Sequence, residues 1–148
     1  MRIAISSDHA GFSLKRKVIE KLLALNQVVI DLGTDSELPV DFPDYAEKAG
    51  RTIQKNDADR AIIICGSGVG ACIAANKLKG VYAGVCHDTY SAHQGVEHDN
   101  MNTLCLGSRI IGEEPAMEIV EAFINAKFFN DERFIRRTNK IKQLDEIG

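Results

Sequence analysis

A thiol, a hydroxyl and three glycines fall within one short stretch, Cys65-Gly66-Ser67-Gly68-Val69-Gly70. Glycines at alternate positions let successive backbone N–H groups turn outward and surround negative charge. A helix beginning near Val69 would point its positive end into the same space. Such surroundings favour the thiolate, the reactive form of Cys65. The plain alternative is a tight strand-to-helix turn carrying a buried structural cysteine. Asp8-His9 forms a second polar pair: the carboxylate can accept a hydroxyl proton, and the imidazole suits a sugar hydroxyl or a phosphate. Asp8 is equally suited to capping the helix that follows it. His98, within Glu97-His98-Asp99-Asn100-Met101-Asn102, is a general acid or base in one reading and a surface histidine at a helix end in the other. His93 and His98 are five apart and fall on different helix faces, which argues against a paired metal site.

Two familiar uses of such a loop fit poorly. Cysteinyl-phosphate chemistry needs Cys-x5-Arg, and position 71 is Ala71. The dinucleotide fingerprint is formally met by Gly66, Gly68 and Ala71, with Asp88 further on. It follows the third strand instead of the first, however, and Gly80 cuts its helix short.

The elements that must position these groups alternate along the chain. Strands are expected at Arg2–Ser6, Val28–Leu32, Ala61–Cys65, Tyr82–Cys86 and Thr103–Leu106. Helices are expected at Phe12–Leu25, from a cap at Asp44 to about Lys55, at Val69–Leu78, at Tyr90–Glu97 and at Glu113–Phe128, with Pro115 in the first turn of the last. The alternation specifies an α/β fold: a three-layer, doubly wound, Rossmann-like sheet of five parallel strands. In the common order 2-1-3-4-5 the switch point lies between strands 1 and 3, and it is flanked by Ser7–Gly11 and Cys65–Gly70. The tail Asn130–Gly148 mixes Arg133, Arg136, Arg137, Lys140 and Lys142 with Phe134, Ile135, Ile141, Leu144 and Ile147. It reads as an amphipathic helix extending to a partner subunit, or else folded back on its own core.

A chain of 148 residues, 45% hydrophobic and 26% charged, suits a single domain spanning 1–148. The net charge of −3, with no basic run longer than Arg136-Arg137, gives no reason to expect nucleic acid. No apolar stretch reaches membrane-spanning length, and no signal peptide is evident. Four cysteines without a Cys-x-x-Cys pair suggest reduced thiols in the cytoplasm.

Taken together, several motifs resemble the ribose-5-phosphate isomerase B family, which also includes galactose-6-phosphate isomerase subunits. They are Asp8-His9-Ala-Gly, Cys65-Gly-Ser-Gly-Val-Gly, Ala74-Ala-Asn-Lys, Tyr90-Ser-Ala, His98-x-x-x-Asn102, Gly107-Ser-Arg109 and the late Arg133 and Arg137. The resemblance implies a metal-independent, cofactor-free aldose–ketose isomerase, a homodimer or tetramer with active sites at a subunit interface. By that resemblance Cys65 is the base that moves a proton between C1 and C2. The N–H groups of Gly66, Ser67, Gly68, Val69 and Gly70 stabilise the enediolate, assisted by the Ser67 hydroxyl. His98 opens the furanose ring, Asp8 holds or deprotonates a hydroxyl, and Arg109 is an interface arginine. His9, Arg133 and Arg137 bind phosphate, and the two arginines are four apart on one helix face. Relatives often carry asparagine where this chain has Asp99, so sugar preference is expected to differ. Rival readings are a six-carbon sugar-phosphate isomerase, a nucleotide-binding regulatory module and a catalytically silent assembly partner.

Overall fold

The computed structural model describes residues 1–147; Gly148, where the expected tail ends, lies outside them. In chain order the elements are β1 (Arg2–Ser7), α1 (Phe12–Ala24), β2 (Val28–Asp31), α2 (Phe42–Gln54), β3 (Arg60–Cys65), α3 (Val69–Ala75), β4 (Ala83–Val85), α4 (Thr89–Asp99), β5 (Thr103–Gly107), α5 (Glu113–Asn125) and α6 (Glu132–Ile147). The strands form one parallel sheet in the order β2-β1-β3-β5-β4.

Alternation within the strands decides what each face of the sheet accepts. Ile3, Ile5, Ile62, Ile64, Leu104 and Leu106 point to one side, where Val18 and Leu22 of α1, Val96 of α4 and Ile119 and Phe123 of α5 pack on them. Ala4, Ala61, Ile63, Cys65 and Cys105 point to the other, beneath Ala46 and Ala49 of α2 and Ala71 and Ala75 of α3. The second face is built from small residues, so its helices lie close together. A Cβ at Gly70 would come within 2.6 Å of the Phe42 ring.

The order differs from 2-1-3-4-5 in that β4 and β5 exchange places. β5 is five residues long and fully buried, so it takes the interior position; β4 has three half-buried residues, Gly84 among them, and takes the edge. There the Asn76 side chain covers the exposed backbone. Its Nδ2 donates to the Ala83 carbonyl at 2.9 Å and its Oδ1 accepts the Ala83 N–H at 2.8 Å. The same turn of Asn76 toward β4 ends α3 at Ala75, short of the expected Leu78. Helix α5 stops at Asn125 instead of Phe128, because the Arg60 guanidinium takes the Phe123 and Ala126 carbonyls, each at 2.6 Å. Helix α2 starts at Phe42 after Asp41, so Asp44 sits inside its first turn and is not its cap. Helix α4 is longer than expected, and the Asp88 carboxylate caps it by accepting the Ser91 N–H at 2.7 Å.

The tail helix folds back on its own chain. In α6, Phe134 and Thr138 are buried against α4, and the Tyr82 hydroxyl donates to Asp145 at 2.7 Å. Ile135, Ile141, Leu144 and Ile147 nonetheless stay exposed. No described helix is long and apolar enough to cross a membrane.

One glycine brings the first loop onto the sheet. A Cβ at Gly11 would lie 2.3 Å from the Ile64 carbonyl oxygen, a backbone atom with no freedom to retreat. Gly11→Ala is therefore expected to cost about 3 kcal/mol, lowering Tm by roughly 6–12 °C in thermal unfolding.

Candidate active site

The helices that follow β1 and β3 leave to opposite faces: α1 to the Ile-rich side, α3 to the Ala-rich side. The carboxyl ends of these neighbouring strands are thereby left open as a crevice. Asp8 stands at its β1 wall. It is 7% exposed, its Oδ1 accepts the Gly11 N–H at 3.0 Å, and its own N–H donates to Ile64. Asp8 therefore ties down the loop, and Gly11 takes the N-cap position of α1. The Val40 N–H donates to Nδ1 of His9 at 3.1 Å, which leaves the ring proton of a neutral His9 on Nε2.

Cys65 ends β3 and is 5% exposed. Its Sγ accepts the Gly68 N–H at 3.2 Å, while Ser67 Oγ accepts the Val69 N–H, also at 3.2 Å. Gly68 is left-handed at φ +81°, a backbone conformation that suits glycine and begins α3 at Val69 as expected. Two donors of the expected cradle are thus engaged inside the loop itself. Those of Gly70 and Ala71, by their place in the first turn of α3, have no intrahelical partner. Gly70 has a second duty, since its missing side chain makes room for Phe42.

The loop after β5 holds this assembly in place. The Ser108 N–H donates to the Cys65 carbonyl at 2.8 Å and the Arg109 N–H to the Gly66 carbonyl at 3.0 Å. Ser108 Oγ reaches across to the Ala10 carbonyl at 2.8 Å, joining the first and last loops. The Arg109 guanidinium lies over Gly66, where a Cβ would come within 3.2 Å of its Nη1. Asp8, His9, Cys65, Gly66, Ser67, Gly68, Val69, Gly70 and Arg109 are therefore brought to one edge of the sheet.

The remaining candidates gather elsewhere. Helix α4 starts at the carboxyl edge and, at about 1.5 Å per residue, carries His98 roughly 14 Å toward the opposite edge, beside the start of β5. There His98 stacks on Phe134 with ring centroids 4.2 Å apart and meets Phe129 edge-on. Its Nδ1 is 2.9 Å from the Gln94 side-chain amide. The guanidinium of Arg133 lies 4.7 Å, and that of Arg137 5.9 Å, from the centroid of the same Phe134 ring. Asp99 is exposed next to His98. A single chain thus carries two separated groups: thiol, carboxylate and loop donors at one edge, imidazole and arginines at the other.

Local sequence pattern does not reveal the supporting roles of Val40, Ser108, Phe134 and His87, whose Nε2 accepts the Gly107 N–H at 2.9 Å. His87 could have been singled out by its place just past a strand's carboxyl end. Asp88, which a dinucleotide site would need for ribose, is occupied as a helix cap.

Comparison with known proteins gives a consistent result. The ribose/galactose isomerase family pattern matches residues 3–141. Ribose-5-phosphate isomerase B of Escherichia coli is 41% identical, over 86% of this chain and 85% of its own length. A D-erythrulose-4-phosphate isomerase of Pectobacterium atrosepticum is 38% identical, over 86% of this chain and 85% of its own. The crystal structure of ribose-5-phosphate isomerase B from Mycoplasma genitalium with bound ribulose 5-phosphate superposes with a TM-score of 0.93 at 39% identity, covering 98% of this chain and 96% of that one.

The thiols around the site differ in character. A hydrogen bond from Cys105 lowers Cys72 to about 7, while burial pushes Cys86 up to about 11 and Cys105 is raised well above the usual thiol value by its bond to Cys72 and by burial. Cys72 is therefore the more readily ionised thiol near neutral pH, and Cys86 and Cys105 stay protonated there. Brief iodoacetamide treatment followed by peptide mass mapping should label Cys72 at least about tenfold faster than Cys86 or Cys105.

Proposed function

The chain belongs to the ribose/galactose isomerase family, and we propose that it interconverts D-ribose 5-phosphate and D-ribulose 5-phosphate through an enediolate, without metal or cofactor. The observation that carries this reading is the Cys65 thiol, held at the mouth of the β1/β3 crevice between Asp8 and a loop of backbone donors. Four free thiols suit action in the cytoplasm.

The reaction begins with ring opening. The partner's His98 donates a proton to the ring oxygen as Asp8 takes the proton of the C1 hydroxyl. The Cys65 thiolate then removes the C2 proton, and the electron pair moves onto O1 as an enediolate. Backbone N–H groups at the start of α3 and the Ser67 hydroxyl stabilise that charge. Cys65 returns the proton to C1, and transfer of the O2 proton to O1 leaves the ketone at C2. Phosphate is held by His9 with Arg133 and Arg137, whose guanidinium forks match its oxygens. Arg109, lying over Gly66, borders the reacting end. Asp99 accepts hydroxyl protons but donates none, which biases the choice of sugar.

A homodimer with the active site at its interface reconciles the two separated groups of residues. Placed about a two-fold axis, each chain would bring its His98, Arg133 and Arg137 to the other's Cys65 loop. The exposed apolar residues fit such an arrangement: Phe42, Val69 and Ile73 beside the loop, and Ile135, Ile141 and Leu144 on α6.

The D-erythrulose-4-phosphate isomerase among the relatives is the specific reason to hold open a sugar phosphate of another length. Side-by-side kcat/KM values on four-, five- and six-carbon sugar phosphates decide it, and the five-carbon pair is expected to be fastest. Cys65→Ala should lower kcat by at least about 10²–10⁴-fold in a cooperatively folding protein; a normal rate would remove Cys65 as the base. Arg137→Ala should raise KM far more than it lowers kcat, and an unchanged KM would place the phosphate elsewhere. Cys65→Ala and His98→Asn proteins, each inactive alone, should recover about a quarter of wild-type activity once subunits are exchanged in equal amounts. Persistent inactivity of the mixture would mean that each chain supplies its own site.

A further inference from the structure

β5 outruns its neighbour. Val85, the last residue of β4, pairs with Cys105, yet β5 continues to Gly107, two positions beyond. In a full-length ladder the Gly107 N–H would donate to a carbonyl of β4. It donates instead to Nε2 of His87 at 2.9 Å. The imidazole thus stands in for a missing strand, and its acceptor role requires a neutral ring with the proton on Nδ1.

The peptide held in this way is the wall on which the Cys65 loop rests. A Cβ at Gly107 would lie 2.6–2.8 Å from the Ser67 backbone, and one at Gly68 would come within 3.0–3.2 Å of the Leu106–Gly107 peptide. The next two amides, Ser108 and Arg109, donate to the carbonyls of Cys65 and Gly66. Rotation of the Leu106–Gly107 peptide would therefore displace the Ser67–Gly68 backbone and both of these anchors together. That backbone carries the Gly68 N–H bonded to Cys65 Sγ.

From this geometry we infer that His87 is a positioning residue for the Cys65–Gly70 loop, acting through the Gly107 amide. Its effect on turnover rests on the isomerase reading above; its hold on the loop does not. Displacing a reacting group by about 1 Å costs on the order of 10²-fold in rate. The phosphate-binding arginines lie on other elements, so the loss belongs in kcat and not in KM.

The test compares His87→Leu and His87→Ala, which lack an acceptor, with His87→Gln, whose Oε1 can replace Nε2. Each is checked for cooperative melting, then for hydrogen exchange by mass spectrometry and for kinetics on ribose 5-phosphate. In the Leu and Ala proteins, peptides covering Cys65–Gly70 should exchange at least about tenfold faster, with kcat down roughly 10–100-fold and KM within about twofold. The Gln protein should regain loop protection and recover kcat to within about threefold. Unchanged exchange in the loop of the folded Leu and Ala proteins would overturn the inference, as would an equal kcat loss in all three variants. A wild-type protein inactive on sugar phosphates whose loop nevertheless loosens in Leu and Ala and tightens in Gln would remove the proposed function while upholding the role of His87.

Discussion

Because β1 and β3 are hydrogen-bonded neighbours whose helices turn to opposite faces, neither α1 nor α3 can cover the ends of the two strands. The uncovered backbone needs polar partners, and the loops supply them to one another. Asp8 takes the Gly11 N–H, Ser108 bridges to Ala10 and Cys65, and Arg109 anchors Gly66. Gly11 and Gly107 allow this closeness, since side chains there would strike the backbone of β3 and of the Cys65 loop respectively. The crevice is therefore a by-product of winding the sheet in two directions, and its polar lining is what keeps it folded.

Cys65 owes its place to the same constraint. Its side chain falls on the Ala-rich face, the side to which α3 departs, and at the last position of the strand. Cys105 lies on that same face but two residues short of the end of its strand, and it is fully buried. Equivalent thiols on adjacent strands are thus separated in role by their distance from the carboxyl edge. Only the terminal one meets the loop donors.

The length of α4 has the opposite effect, taking His98 away from the crevice. Stacked on Phe134, it lies beside the exposed guanidinium groups of Arg133 and Arg137, which gather about the same ring. The Phe134 ring holds the two guanidinium groups close together, and Arg133 also pairs with Asp131 at 3.3 Å.

Much of this was legible in the residues alone. The alternating β-branched runs, the glycine-rich loop after β3, the start of α3 at Val69 and the crevice between β1 and β3 all follow from local pattern and chain order. The arginines at 133 and 137 share a helix face because they are four apart. Three things were beyond local pattern. The exchange of β4 and β5 turned on which strand could be buried on both faces, a competition between segments some twenty residues apart. The ends of α3 and α5 were set by Asn76 and Arg60 reaching across to other elements, which no helix propensity contains. Local pattern does not reveal the role of His87, and only the tertiary structure places its imidazole where the β4 ladder runs out. Sequence determines a residue's chemistry and its local conformation. Which backbone groups are left unpaired, and so which side chains must serve them, depends on strands and loops that meet only in the folded chain.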